Sequence, residues 1–123
     1  MSRSVLLQLA RDSIQEVLEA QRSIDKATLL SSHPLLNEKI ATRVNLYIDE
    51  ELRGSFGSKD SVKTLLEDII HNAKMSAFQD TNFTPITTSE YLDCSVELLL
   101  STPEGVLSET DPCILSTTKN EVL

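Results

Sequence analysis

The chain has 123 residues, of which 11 are Lys or Arg and 19 are Asp or Glu, so its formal net charge is −8. This length fits one domain with its own core, and the negative charge disfavours nucleic acid and anionic membrane surfaces as partners. The first apolar residues form a run too short and too polar for a signal peptide or a membrane span, which predicts a cytoplasmic protein. The cysteines and histidines, two of each, lack the spacing of a disulfide framework or a zinc site, so we expect no metal and no cofactor.

The first half of the chain predicts a helix followed by a β-hairpin. Apolar residues recur at three- and four-residue spacing over 5–18, the pattern of an amphipathic helix, with Arg11 assigned to the solvated side. Residues 21–37 lack a clean period, and we expect a loop that holds a short helical turn. Over residues 40–48 the period changes to two, which predicts a half-buried strand, and residues 52–56 can return as its hairpin partner.

The second half predicts one more helix and one more strand. The polar turn at 49–51 lacks the glycine or asparagine that is common in tight hairpins. Asp60 or Ser61 is expected to cap the next helix, whose apolar stripe covers residues 62–77. Residues 94–100 alternate between polar and apolar and predict a third strand.

One segment, Leu52-Arg53-Gly54-Ser55-Phe56-Gly57-Ser58, has the composition of a binding site. Glycines permit close approach of the backbone, Arg53 offers a planar cation that suits carboxylate or phosphate, and the serines add hydroxyl groups. The segment matches neither the P-loop nor the dinucleotide fingerprint. A hairpin strand whose glycines permit close packing, with Arg53 paired to a surface carboxylate, explains the same residues. The candidate ligand-binding residues are Arg53, Gly54, Ser55, Gly57 and Ser58.

Other polar residues carry weaker signals. His71 is expected to be a partly buried packing residue, Cys94 an inert buried thiol and Cys113 a tail residue without a function. Four carboxylates could include a general acid or base, although a solvated acidic surface explains them equally well. They are Asp80, Glu90, Asp93 and Glu97.

The glycine-containing segment resembles the Leu-Arg-Gly-Cys-Ile-Gly-Ser hallmark of the AMMECR domain family. Residues 77–86, Ala-Phe-Gln-Asp-Thr-Asn-Phe-Thr-Pro-Ile, resemble that family's Ala-Phe-x-Asp-Pro-Arg-Phe-x-Pro-Leu segment. Residues 96–104 resemble its following strand and Thr-Pro-Pro-Glu end. Order and spacing agree over about residues 4–104, so the chain is similar to a short or truncated member of this family.

The resemblance implies an α+β fold in which an antiparallel β-sheet is flanked by two amphipathic helices, in agreement with the order of elements given by the periodicity. It implies one AMMECR-like domain over residues 1–104, followed by a polar tail or edge segment over 105–123. The family has no settled activity, and its association with Memo-like and radical SAM proteins suggests these as partners. The resemblance also makes Asp80 a polar neighbour of the motif and a sixth candidate ligand-binding residue.

Three departures from the family pattern limit what the resemblance implies. Ser55 stands where the family usually has cysteine, so a role for a thiol does not carry over. Thr81 and Asn82 replace the usual Pro-Arg, which removes a positive charge. The family domain normally continues with further strands and a helix after the position of Glu104.

Three functional hypotheses follow. The first is a small anionic ligand or a partner protein bound at the motif, with Arg53 holding a carboxylate or phosphate and Ser55 orienting it. The second is a hydrolase or transferase that uses Ser55 or a nearby carboxylate, which requires His71 or Asp80 within hydrogen-bond reach of Ser55. The third is a noncatalytic interaction module that a partner or dimer mate completes at an exposed sheet edge.

Overall fold

Four helices, a 3₁₀ helix and four strands make up the computed structural model, which describes residues 5–21, 24–60, 62–80, 83–102 and 104–111. In chain order they are α1 (Val5–Glu19), α2 (Lys26–Ser32), the 3₁₀ helix (Pro34–Asn37), β1 (Ala41–Ile48), β2 (Glu51–Gly57), α3 (Leu65–Phe78), α4 (Thr88–Asp93), β3 (Ser95–Thr102) and β4 (Gly105–Asp111). None of the described helices is long and apolar enough to cross a membrane.

The strands form one antiparallel sheet in the order β2-β1-β3-β4. Helices α1 and α3 pack against each other and against one face of this sheet, which confirms the predicted α+β class. Burial of each large apolar side chain between these layers contributes about 1.5–3 kcal/mol. The fully buried residues from both layers include Ile14, Val44, Leu46, Ile69, Val96 and Leu98.

The opposite face of the sheet carries polar side chains. Alternation along β1 turns Arg43, Asn45 and Tyr47 away from the buried Val44 and Leu46. Cross-strand partners project to the same face, so Ser55 of β2 and Glu97 of β3, which both pair with Asn45, join them there. We call this surface, made of Arg43, Asn45, Tyr47, Ser55 and Glu97, the polar face.

Helix α1 differs from the prediction at Arg11, which is fully buried rather than solvated. Its Nη2 donates to the carbonyl oxygen of Cys94 at 2.7 Å, and its guanidinium carbon lies 5.3 Å from the centre of the Tyr91 ring. The Tyr91 hydroxyl donates to the Arg11 carbonyl at 3.3 Å. The prediction was wrong because helical spacing cannot show that a distant main-chain carbonyl is available to a charged side chain.

Helix α3 begins later than predicted. Thr64, not Asp60 or Ser61, is the N-cap, and its side chain accepts the backbone N–H three residues on. An isolated β-bridge joins Thr64 to Lys39, and the backbone of Thr64 is extended, so the helix cannot begin before it. Val62, which the predicted stripe included, is therefore 71% exposed.

Three short helices and strand β4 differ from the sequence prediction. Helix α2 and the 3₁₀ helix fill the region predicted as a loop with a helical turn, and α4, which is absent from the elements predicted above, begins with a Thr87/Glu90 capping box. Strand β4 occupies the start of the predicted tail or edge segment and pairs with β3 along its whole length. The predicted domain boundary at residue 104 stays a prediction, and residues 112–123, with Cys113, lie outside the described part of the chain.

The β1–β2 turn has an unfavourable backbone conformation for its residues. Ile48 pairs with Glu51, so the connection consists of Asp49 and Glu50, and both have positive φ, 52° and 69°. Two positive φ values in a two-residue hairpin define a type I′ turn, whose preferred sequences are Asn-Gly and Asp-Gly. Glu50 occupies the position that favours glycine.

We expect the substitution Glu50→Gly to raise the free energy of unfolding by about 1 kcal/mol, because glycine removes the clash that a Cβ makes at positive φ. Urea denaturation of both proteins measures this difference. Glu50→Ala is the matched control, since it removes the same charged group but keeps the Cβ, and it should give no such gain. Equal midpoints for the Gly and Ala variants would contradict the turn assignment.

Candidate functional site

The glycine motif forms most of β2 and contains a β-bulge. Leu46 of β1 pairs with Gly54. The next residue of β1, Tyr47, pairs with Leu52, so Arg53 is an extra residue on β2. Bulges bend a strand and redirect a side chain. The Arg53 side chain is directed to the segment before and within α4, where its partners lie.

Arg53 forms a bidentate ion pair with Glu90. Its Nε and Nη2 donate to the two carboxylate oxygens of Glu90, both at 3.0 Å, and its guanidinium carbon lies 5.7 Å from the centre of the Phe83 ring. These hydrogen bonds lower the pKa of Glu90, and the backbone N–H of Thr87 adds to the effect. Only 13% of the Arg53 side chain is exposed. The geometry is that of the second interpretation given above, in which Arg53 pairs with a surface carboxylate.

The two glycines of the motif make room for different groups. A Cβ on Gly54 would overlap the carbonyl oxygen of Ser76, so this glycine permits α3 to approach the β2 backbone. A Cβ on Gly57 would lie 2.9 to 3.0 Å from side-chain atoms of Arg43. Gly57 therefore leaves space for the Arg43 side chain to lie across the strand.

A chain of hydrogen bonds connects the polar face. Arg43 Nη1 donates to the Ser55 hydroxyl at 2.8 Å, and that hydroxyl donates to Asn45 Oδ1 at 2.6 Å. Asn45 Nδ2 and the Tyr47 hydroxyl both donate to Glu97 Oε1, at 2.9 and 3.2 Å. Burial and the neighbouring Glu97 raise the pKa of Tyr47, so its hydroxyl stays protonated as a donor. The network fixes the rotamer of Ser55 and holds Arg43 beside it.

Asp80 caps the edge of β2. The backbone N–H of Ser55 donates to Asp80 Oδ2 at 2.9 Å. Because β2 is an edge strand, this N–H has no strand partner on that side, and a carboxylate satisfies it. The structure thus brings Asp80 and Ser55 together.

Ser58, by contrast, belongs to a buried polar network under the sheet. Its hydroxyl donates to Asp68 Oδ1. The other oxygen of Asp68 accepts the backbone N–H of Thr42 at 2.7 Å, and Asn72 Nδ2 donates to the hydroxyl of Thr42 at 2.9 Å. These bonds tie the ends of β1 and β2 to α3, which is a structural role.

A cleft of about 430 Å³ opens beside the motif. Its volume lies within the range of small-ligand sites. Its lining residues are Arg43, Leu52, Ser55, Phe56, Gly57, Gln79, Asp80 and Phe83. Three of the six predicted residues, Ser55, Gly57 and Asp80, are among them, whereas Arg53, Gly54 and Ser58 are not.

Arg43 lines the cleft but is not among the site residues predicted from the sequence. Alternation placed it correctly on the face of β1 away from the core, but nothing in the sequence sets its register against β2. That register pairs Arg43 with Gly57, and the absence of a side chain there lets Arg43 reach Ser55. An arginine on the outer face of the strand that precedes a glycine motif is the signal that could have found it.

Comparison with known proteins supports one family. The AMMECR1 family profile matches residues 7–117. The chain belongs to the AMMECR1 family. It is 32% identical over 110 residues to protein MK0488 of Methanopyrus kandleri, and 31% identical over 90 residues to protein MJ0810 of Methanocaldococcus jannaschii. The crystal structure of an uncharacterized protein, PH0010 from Pyrococcus horikoshii, matches with a TM-score of 0.71 at 31% sequence identity.

These matches confirm the AMMECR resemblance drawn from the sequence. They cover 87%, 71% and 80% of this AMMECR1-family chain, respectively, but 52%, 45% and 50% of the three relatives. The chain therefore spans about half the length of the relatives it matches. An activity, substrate or partner of a full-length relative is for that reason only a hypothesis for this chain.

The contacts of Ser55 in this AMMECR1-family chain do not provide a catalytic base. Among the described residues, the hydrogen-bond partners of its hydroxyl are Arg43 and the amide oxygen of Asn45, neither of which can take its proton. Asp80 is bonded to the backbone N–H of Ser55, and His71 is exposed, with its ring edge-to-face to Phe56 at 5.8 Å. The described residues also contain no group of three His, Cys, Asp or Glu that could hold a metal ion.

We expect Gly54→Ala to lower the free energy of unfolding by about 3 kcal/mol, because its Cβ meets a helix backbone that cannot move without repacking. Gly57→Ala should cost less, about 1 kcal/mol, because its Cβ meets the side chain of Arg43, which is exposed and can turn aside by giving up its hydrogen bond to Ser55. Urea denaturation of the two variants gives both values, and each serves as the other's control. Equal losses would contradict the distinct roles of the two glycines.

Proposed function

We propose that this AMMECR1-family chain binds a small anionic ligand, a carboxylate or phosphate compound, in the cleft beside the motif, and that Arg43 is its anchor. The supporting observation is the position of Arg43. Its side chain is held over Gly57 by one hydrogen bond to Ser55, and no other hydrogen bond joins this guanidinium to a described residue. A guanidinium has five N–H groups in a planar fork, so most of them are available to a carboxylate or phosphate.

This proposal moves the anchor from Arg53 to Arg43. Arg53 donates two hydrogen bonds to the Glu90 carboxylate, and its side chain is mostly buried. A ligand would have to displace Glu90 from this bidentate pair to bind Arg53. Arg43 is exposed at the cleft and is already oriented by the polar face. A preoriented cation binds an anion at a lower entropic cost than a free side chain does.

Of the two other hypotheses, catalysis by Ser55 has the weaker support. A hydroxyl needs a neighbouring base to become a nucleophile, and its described partners are a guanidinium and an amide oxygen. Ser55 instead fits a positioning role, in which it fixes the direction of Arg43. We therefore favour binding over hydrolysis or group transfer.

A thermal-shift screen of the parent protein against small carboxylates and phosphates, at fixed ionic strength, tests the anchor. A ligand at a hundredfold over its Kd should stabilise the parent by about 2.7 kcal/mol. Arg43→Ala should lose this shift, because it removes the anchor. Arg53→Ala is the matched control: it also removes one arginine, and it should lower the unfolding temperature but keep the ligand-induced shift. Loss of the shift in Arg53→Ala alone would return the anchor to Arg53, and no shift with any compound would overturn the proposal.

A second candidate function is favoured by strand β4. It lies at the edge of the sheet, and its consecutive residues Val106 and Leu107 are 66% and 57% exposed, one on each face. An edge strand with apolar side chains is a template for another strand. We propose that β4 pairs with β4 of a second copy, because antiparallel edge pairing about a two-fold axis is self-complementary. Memo-like and radical SAM partners stay a prediction from the family resemblance.

Multi-angle light scattering tests this pairing. Because each copy carries a net charge of −8, we expect the dimer fraction to rise between roughly 0.05 and 0.5 M salt, where screening weakens repulsion. Leu107→Asp should abolish the dimer by adding repulsion at the edge. Leu35→Asp is the control, since Leu35 is similarly exposed but lies in the 3₁₀ helix, and it should leave the dimer intact. A monomer at every salt concentration would contradict self-pairing and leave only a different partner.

A further inference from the structure

We infer that the cleft selects a small zwitterion with an apolar group, of the amino-acid type, over a simple anion or a phosphate compound. This inference rests on the proposed function, because it assumes that Arg43 holds the anionic group of the ligand. It adds a second recognition element, the carboxylate of Asp80, and a third, the apolar wall of the cleft.

The charge distribution of the cleft carries the first step. Arg43 and Asp80 both line it, so it presents one positive and one negative group to the same ligand. Asp80 is held in place by the N–H of Ser55, the residue whose hydroxyl holds Arg43. The two charges are therefore fixed relative to each other through one residue. A ligand with an ammonium group and a carboxylate complements both of them.

Polyanions fit this cleft poorly. A phosphate monoester carries about 1.5 to 2 negative charges at pH 7, and the charge that Arg43 does not neutralise would face Asp80. Like charges at close range oppose binding, and the net charge of −8 on the whole chain acts in the same direction. The electrostatics thus favour a ligand whose own charges sum to zero.

Apolar side chains complete the cleft. Leu52 lines the cleft and is 45% exposed, and Phe56 and Phe83 are lining residues too. Exposed apolar area of this kind contributes to affinity when a ligand covers it. An amino acid with an apolar side chain meets all three requirements.

A matched panel of probes separates these requirements. L-phenylalanine has the carboxylate, the ammonium group and the ring, 3-phenylpropanoate lacks only the ammonium group, 2-phenylethylamine lacks only the carboxylate, and inorganic phosphate is the simple oxyanion. Titrations followed by ¹H–¹⁵N NMR give the Kd of each from the Ser55 and Gly57 amide signals. We expect the parent to bind L-phenylalanine roughly tenfold more tightly than 3-phenylpropanoate, a factor that corresponds to about 1.4 kcal/mol.

Asp80→Asn tests the source of that preference. The amide keeps an oxygen that can accept the Ser55 N–H, but it removes the negative charge, so the preference for L-phenylalanine over 3-phenylpropanoate should disappear. Asp93→Asn is the matched control, because it removes the same charge from an exposed position in α4 outside the lining of the cleft, and it should keep the preference.

The outcomes distinguish this inference from the proposed function. If 3-phenylpropanoate or phosphate binds as tightly as L-phenylalanine in the parent, and Arg43→Ala abolishes that binding, the anion site stands and the zwitterion inference is overturned. If no probe binds in a way that depends on Arg43, the proposed function falls and the inference falls with it. The parent panel decides the first case even if Asp80→Asn does not fold.

Discussion

The close approach of α3 to β2 is the constraint on which the site depends. Gly54 permits it, because the carbonyl oxygen of Ser76 occupies the space that any side chain would need. Ser76 is in the last turn of α3, so the contact fixes where the helix ends relative to the strand. Asp80 follows two residues after that end and is thereby delivered to the N–H of Ser55, the neighbour of Gly54. The absence of a Cβ at Gly54 therefore determines both how α3 packs on β2 and where Asp80 lies in the cleft.

The bulge at Arg53 is the second determinant, because it changes which side chains β2 presents to the cleft. In a regular strand Leu52 would share a face with Gly54 and point to the core. The extra residue shifts the register, so Leu52 pairs with Tyr47 and lies on the polar side instead. The ion pair of Arg53 with Glu90 holds the bulged residue in place. Leu52 is therefore exposed at the cleft because the bulge turns it away from the core.

Much of the fold could be predicted from the sequence, since periodicity depends on local chemistry. The two long helices, the hairpin and the third strand all appear in the apolar pattern, and the buried Cys94 agrees with its place in that pattern. The errors lie where a group distant in sequence determines the burial of a side chain or the end of an element. Arg11 is buried because a carbonyl oxygen far along the chain accepts a hydrogen bond from its guanidinium, and α3 starts only after Thr64, which is joined to Lys39 by a β-bridge. No local signal reveals the partner of Arg11, whereas Thr64 with Glu67 three residues later is a capping-box pattern that marks the start of α3 in the sequence itself.

The site was predicted in part for the same reason. The motif pointed to a segment that lines the cleft, and the resemblance pointed to Asp80, which lines it too, but the roles within the segment depend on register and on which face a side chain takes. The motif contains Arg53, whose guanidinium is paired with Glu90. The arginine that lines the cleft, Arg43, comes from the neighbouring strand β1. A glycine-rich motif here shapes the backbone, while a residue across the sheet supplies the charge. Charged residues opposite the glycines of a hairpin therefore have to be considered together with the motif itself. A glycine on one strand leaves room for a long side chain from the neighbouring strand, as Gly57 does for Arg43.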